Sequence, residues 1–556
     1  MHACDTLTHG VRWQPEATFN VHPMKAQTMN ERTSCAVVLL CVALQVPAQW
    51  TWIGGSDLSN AAPVFGTKGV FDPAVVPGAI YAPGQCVDLN GRLWLFGGKL
   101  GGGSNDLWCF DPTLEQWAWM GGGQGLSWAG HYGIKGMSSP DNLPRGRGYA
   151  PAMWCDAVGD LWLFGGQSGD EYNDLWKYEM TNGSWTWMHG DSTGLSTGSY
   201  GIIGVADPSN EPPCRSEIIG TWVGSDGSFW MFGGERYPFY TYSDMWRYDP
   251  LSDQWTWMQG VSGAPGGPVS YGTLNVPSAT NTPGKRCSWT HWTDANNRFW
   301  LFGGMTHGQN LPSNDLWMFD PMTLLWTWKG GPTTLADLGS FTGQCSSGMG
   351  ANPPAMFEAT ANWKDSVGRF YLYGGGYRNG TPGNQPYEDV WRYDPVVEEW
   401  TWLWGSGMLN ETSDHGTLGV AAPTNTPGGR FGSVAVAKGD SVVYHFGGFT
   451  PFVANDLWKL DMTQLCVSTG VERTVGLPTL WYDGQGGRVH LRSAEAATAV
   501  RVHDAAGRLC LAEKPVGGSG SDRSVDVSGL GPGLYIASVI LPSGAIRAQS
   551  FRFVVE

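Results

Sequence analysis

An enzyme needs its nucleophile, acid, base or metal ligands close together, and a chain made of repeats must break its own pattern to provide them. Past residue 48 the histidines are His131, His189, His291, His307, His415, His445, His490 and His503, scattered without metal-ligand spacing. The cysteines Cys86, Cys109, Cys155, Cys214, Cys287, Cys345, Cys466 and Cys510 form no CxxC pair, and their spacing leaves the connectivity open. No nucleophile elbow, HExxH, phosphate loop or dinucleotide fingerprint occurs. Two polar sets do recur. Asp106, Asp174, Asp244, Asp315, Asp389 and Asp456 sit in "NDLW" or its relatives, where they read as acceptors bracing strands rather than as calcium or catalytic ligands. Arg147, Arg215, Arg286 and Arg430 end a recurring connection, and read as internal ion pairs or as a ring able to bind an anion. The expectation is no catalytic residue, no metal and no cofactor.

Composition narrows the classes further. A net charge of −16 argues against nucleic acid, whose binding needs basic patches. Among 556 residues there are 81 glycines and 13% aromatics but only 15% charged residues, a balance that suits short strands and tight turns. Residues 1–48 read as a leader. With a start at Met24 or Met29, Asn30-Glu31-Arg32 is a short charged opening and residues 36–46 an apolar run. Val46-Pro47-Ala48 fits small-residue cleavage. The run is too short for a bilayer, which takes about 20 residues, and no other segment reads as a membrane helix. An exported protein is expected.

The elements that must position any site announce themselves by repetition. A glycine pair closes an apolar run at Gly97-Gly98, Gly165-Gly166, Gly233-Gly234, Gly303-Gly304, Gly374-Gly375 and Gly447-Gly448. The steps between pairs are 68, 68, 70, 71 and 73 residues. A Trp-x-Trp motif keeps time with them, beginning at Trp50, Trp117, Trp185, Trp255, Trp326 and Trp400. Such regularity marks a repeat architecture. Each unit reads as four short strands: one around Trp154 or its equivalents, the "LWLFGG" strand, the "NDLW" strand and the Trp-x-Trp strand. Recurrence also places most of the 31 tryptophans in the core between repeats rather than in a sugar-stacking platform.

The double glycine followed by spaced aromatics resembles the kelch repeat over about residues 50–461, with a period longer than the usual ~50 residues. The resemblance implies an all-β, six-bladed kelch-type β-propeller. The chain opens on a lone fourth strand and ends the repeats with three, so the propeller is expected to be closed by its N-terminal strand, which would remove an exposed sheet edge. Some kelch propellers are copper oxidases with a Tyr–Cys crosslink, and no matching local motif is present.

From about residue 477 the vocabulary changes to alternating strands and glycine-containing turns. The "DAAGR" turn at 504–508, "LGPGLYIASV" at 530–539 and a final strand at 551–555 resemble the C-terminal sorting domain of proteins exported by the type IX secretion system. That resemblance implies a small immunoglobulin-like β-sandwich, passage to the surface of a gram-negative bacterium and the type IX machinery as a partner; an ordinary adhesion module is the alternative. The expected organisation is a leader at 1–48, propeller at 49–465, linker at 466–476 and sorting-like domain at 477–556.

Spacing also says where recognition belongs. From each Trp-x-Trp to the next glycine pair the count is 47 or 48, whereas from glycine pair to Trp-x-Trp it is 20, 20, 22, 23 and 26. The variation therefore lies between the second and third strands, and loops that vary on a rigid scaffold are where binding usually lives. Two are rich in Tyr and Arg, "ERYPFYTYSD" at 235–244 and "GYRNGTPGNQPYED" at 376–389. The expected contact residues are Arg236, Tyr237, Phe239, Tyr240, Tyr377, Arg378 and Tyr387, on a secreted or surface protein that binds a glycan or protein. A secreted carbohydrate-active enzyme is the alternative, which would show itself by carboxylates or histidines gathered in converging loops.

Overall fold

The structure is a computed structural model. It describes residues 49–98, 103–125, 129–217, 220–237, 240–306, 310–346, 350–380, 383–466, 479–483, 488–492, 499–504, 509–514, 522–540 and 551–555. The leader and the "DAAGR" turn beyond Asp504 lie outside these residues.

The apolar runs that precede the glycine pairs are strands buried on both faces. Leu93–Phe96, Leu161–Phe164, Phe229–Phe232, Phe299–Phe302 and Phe370–Tyr373 have all four residues buried. A strand alternates its side chains between two faces, and here both faces meet another sheet. Leu93 and Leu95 pack with Val434, Val436, Tyr444 and Phe446 on one side, while Trp94 and Phe96 pack with Met153, Leu161 and Leu163 on the other. This is why the motif is continuously hydrophobic instead of alternating.

Six four-stranded antiparallel sheets result, forming a six-bladed β-propeller. Blade 1 contains Gly84–Val87, Leu93–Phe96, Leu107–Asp111 and Gln116–Gly121 in spatial order. Blades 2 to 5 repeat the order, beginning at Ala152–Cys155, Thr221–Val223, Thr290–Thr293 and Ala361–Lys364. Blade 6 contains Val434–Lys438, Val442–Phe449 and Val453–Asp461, and its fourth strand is Trp50–Gly54, with Trp50 opposite Leu460. First strands of consecutive blades contact one another from blade 1 through blade 6. The long connection leaving one blade runs along the outer strand of the next, bridging Ser139 to Trp185, Asp207 to Trp255 and Ser278 to Trp326.

The variable loops fold into two-stranded ribbons that extend the second and third strands of four blades. They are Gln167–Ser168 with Asp170–Glu171, Glu235–Arg236 with Tyr240–Thr241, Met305–Thr306 with Leu311–Pro312, and Gly376–Tyr377 with Gln385–Pro386. A disulfide joins Cys345, in the connection before blade 5, to Cys466, just past the last propeller strand. Beyond it the chain forms a three-stranded sheet (Thr479–Asp483, Arg488–Arg492, Asp522–Asp526) and a four-stranded one (Leu509–Lys514, Ala499–Asp504, Gly533–Ile540, Phe551–Val555).

Candidate functional site

The glycine pair is a joint between blades. Gly98, Gly166, Gly234 and Gly375 each donate their amide to the carbonyl of the arginine that ends the next connection. Gly233 has φ +65°, and a Cβ there would stand 2.4 Å from the Arg286 carbonyl oxygen. Only glycine accepts both the left-handed backbone and the close approach.

The recurring arginines and aspartates meet at the same joint. Arg215 forks onto Asp244 at 2.7 and 2.8 Å and reaches the Gly233 carbonyl at 2.9 Å. Arg286 repeats this with Asp315 and Gly303, Arg430 with Asp456 and Gly447, and Arg147 pairs Asp174 and Gly165. All four arginines are buried, so they are internal ion pairs and do not ring the mouth as an anion site. An aromatic of the long connection completes each set. Tyr132, Tyr200 and Tyr271 donate to Asp174, Asp244 and Asp315, and His415 Nε2 lies 3.0 Å from Asp456.

Blades 1 and 5 depart together from this pattern. Ile80 and Met356 hold the arginine position, their carbonyls taking the amides of Gly448 and Gly304. Phe65 and Phe341 hold the tyrosine position, packed on the same pair of tryptophans. With no arginine or tyrosine to meet, the carboxylates turn to other donors, Asp106 also taking the Ser104 hydroxyl at 2.6 Å. Asp106 accepts from Trp119 Nε1 and the Gln124 amide, and Asp389 from Trp402 Nε1 and the Gly407 amide. The electrostatic consequence is opposite in sign. Burial opposes ionisation of Asp315, but Arg286 outweighs it and holds the carboxyl below the usual range. Burial pushes Asp389 up to about 7.

The six junctions also carry a closed circuit of backbone hydrogen bonds around the axis. Ala82 donates to Gly432, Ala150 to Ala82, Glu217 to Tyr149, Ser288 to Glu217, Glu358 to Ser288 and Gly432 to Glu358. Every donor in the circuit has positive φ, between 37° for Ala150 and 63° for Gly432. Five non-glycine residues held there in one ring is a conformation that the surrounding structure must impose, and such positions cluster at functional sites.

Residues of this circuit and of the ribbons line one cavity of about 570 Å³. All six blades contribute, from Tyr81 before the first strand of blade 1 to Phe431 and Phe449 of blade 6. One part of the lining is apolar: Phe357, Phe431, Met305 and Cys287 pack together with Tyr81 and Phe449. Another part is acidic, with Glu171, Glu217, Glu235 and Glu358. Glu217 accepts the Ser288 hydroxyl at 2.7 Å. Glu171 accepts the Tyr237 amide at 3.0 Å on Oε1, and burial pushes its carboxyl up. Burial, then the charges of Glu358 and Glu217, raise the Tyr81 hydroxyl far above its ordinary value. The one cation in the lining among the described residues, Arg378, lies over the Phe357 ring and is held by Asn310 and Asn384.

The residues expected from the loops divide. Tyr237 lines the cavity and is 60% exposed; Tyr240 is exposed on the same ribbon and Arg236 is half-buried. Arg378 also lines the cavity. Tyr377 and Tyr387 are buried instead, 3% and 2% exposed, with the Tyr377 hydroxyl donating to the Ala336 carbonyl at 2.9 Å. Their ribbon packs back on its own connection, so these two rings are core. Phe239 lies outside the described residues. Sequence reading missed Glu171, Glu217, Glu358, Tyr81 and Tyr149. The available signal was a carboxylate in the apolar approach to a first strand, at "RSEIIGTW" and "MFEATANW". Among the described residues no group of His, Cys, Asp and Glu is placed to hold a metal ion, and no helix is long and apolar enough to cross a membrane. No family model matches the chain.

Proposed function

We propose that this chain is a secreted or cell-surface binding protein, a kelch-type propeller that presents its second-to-third-strand ribbons and the cavity between them to a glycan or protein ligand. The observation that carries the reading is the convergence of all six blades on one cavity flanked by exposed Tyr237 and Tyr240. In this reading Trp50–Gly54 is the clasp that closes the ring. The sheets beyond residue 478 act as a sorting domain of the immunoglobulin-like kind, addressed to the type IX machinery of a gram-negative bacterium after the leader is removed. The test is a glycan array and a surface-protein pull-down with the full chain, repeated with Tyr237→Ala, Tyr240→Ala and Arg378→Ala. Loss of the captured ligand at unchanged thermal stability supports the mouth as the binding face; unchanged capture removes it.

A second reading rests on the four glutamates of the cavity, since paired carboxylates in unlike surroundings are what a glycosidase uses. Glu171, raised by burial, would be the acid and Glu217 its partner. Turnover in a hydrolase and lyase panel that Glu171→Gln abolishes would favour it over simple binding.

A further inference from the structure

We propose that the mouth cavity receives the basic side chain of a protein partner, a lysine or arginine with its stem on the aromatic wall and its cationic head among Glu217, Glu358 and Glu171. The inference rests on the mouth being the binding face and names the chemistry it selects.

Four observations lead to it. First, four carboxylates and, among the described residues, a single guanidinium line the cavity. That guanidinium is held by Asn310 and Asn384, lies over Phe357 and interacts electrostatically with Glu358, one positive charge in a lining of four carboxyl groups. An anionic ligand would add to the excess, whereas a cation relieves it. Second, Glu171 is 1% exposed and lines the cavity, yet its Oε2 has no hydrogen-bond partner among the described residues. A buried carboxylate oxygen in that state is costly unless a donor arrives. Third, the lining is amphipathic. Phe357, Phe431, Phe449 and Met305 match an aliphatic stem, and the glutamates match its head. A sugar would match the carboxylates through its hydroxyls but would leave the positive charge that four glutamates favour unsupplied. Fourth, among the described residues no group of carboxylates is placed to hold a compact metal ion, whereas an ammonium or guanidinium spreads three to five N–H donors over several acceptors. The circuit of left-handed residues holds Glu217 and Glu358 in place from their own backbones, so little ordering is needed on binding.

The test titrates the full chain with an acetylated, amidated Gly-Lys-Gly peptide, its arginine counterpart, the Nε-acetyl-lysine form and free glucosamine, using calorimetry or ligand-observed NMR. The basic peptides should bind, and Nε-acetylation should abolish binding. Glu217→Gln should weaken it roughly 30-fold, the effect expected when one partner of a buried charge pair is neutralised. Glu235→Gln, on a ribbon outside the backbone circuit, should weaken it measurably and serves if Glu217→Gln fails to fold. Asp141→Asn, exposed in a connection, should leave binding unchanged. Equal binding of the acetylated peptide, or an equal loss from Asp141→Asn, would reduce the effect to general attraction by an acidic protein and overturn the proposal. Glucosamine binding without peptide binding would overturn it in favour of an amino sugar. If basic probes fail while a captured ligand still depends on Tyr237, this inference falls and the mouth reading stands; if Tyr237 has no effect on any ligand, both fall.

Discussion

Asp389 is a buried acid that its own repeat leaves without a counter-charge, and its neutralisation should stabilise the propeller in a pH-dependent way. Its carboxyl is 1% exposed and pushed up to about 7 by burial, against an ordinary 3.8. A folded-state value above the unfolded one means the protonated form is favoured in the fold. The resulting stability is present below the unfolded value and is lost as pH rises through about 7. Between pH 4.5 and 7 the loss is roughly 3 kcal/mol, at about 1.4 kcal/mol per unit. The amide introduced by Asp389→Asn would keep the oxygen that accepts from Trp402 Nε1 and the Gly407 amide and would not ionise. Unfolding of the ~410 residues from Trp50 to Asp461 carries roughly 0.9 kcal/mol/K of entropy, so the variant should gain about 4 °C in Tm over the parent between pH 4.5 and pH 8. Tryptophan fluorescence melts of both proteins at the two pH values give this difference of differences, in which every other titrating group cancels. If Asp389→Asn shifts Tm equally at both pH values, Asp389 is already ionised in the fold and the burial argument is wrong.

Arg286→Met should cost about 3–5 kcal/mol by leaving Asp315 buried and unpaired, and adding Asp315→Asn should restore most of the lost Tm. Gly233→Ala forces a Cβ within 2.4 Å of a carbonyl oxygen at a left-handed position and should lower stability by several kcal/mol. Gly169→Ala, at φ +80° with open space around it, should cost only about 1–2 kcal/mol; equal effects would refute the close-approach account. Peptide mapping without reductant should recover Cys345 linked to Cys466, and replacing both by serine should lower thermal stability, since closing a loop of 121 residues removes roughly 5 kcal/mol of unfolded-state entropy. Deleting residues 477–556 should leave a folded propeller trapped in the periplasm; normal delivery to the surface or medium would refute the sorting role.

What the residues determined by themselves was the scaffold. Six spaced glycine pairs and Trp-x-Trp motifs specify six sheets because both features are local: the pair marks where a strand must meet the next blade, and a run such as "LWLF" is apolar throughout because both faces of its strand are covered. Counting residues between fixed motifs was enough to find the variable loops, which the fold turns into ribbons beside the cavity. Tertiary structure alone decided what those loops expose. Tyr377 and Arg378 are adjacent, yet one is core and the other lines the cavity, because a ribbon sends successive side chains to opposite faces and only packing says which face is wet. The cavity's acids were equally hidden. Glu217 and Glu358 stand 141 positions apart and share no motif with Glu171, and they meet because the backbone circuit at the junctions brings the approach to every first strand onto one axis. The partners of the recurring aspartates followed the same rule: sequence showed six equivalent carboxylates, and only the joint between blades separated those paired with an arginine, such as Asp315, whose carboxyl Arg286 holds below its usual range, from Asp389, which burial drives toward its neutral form.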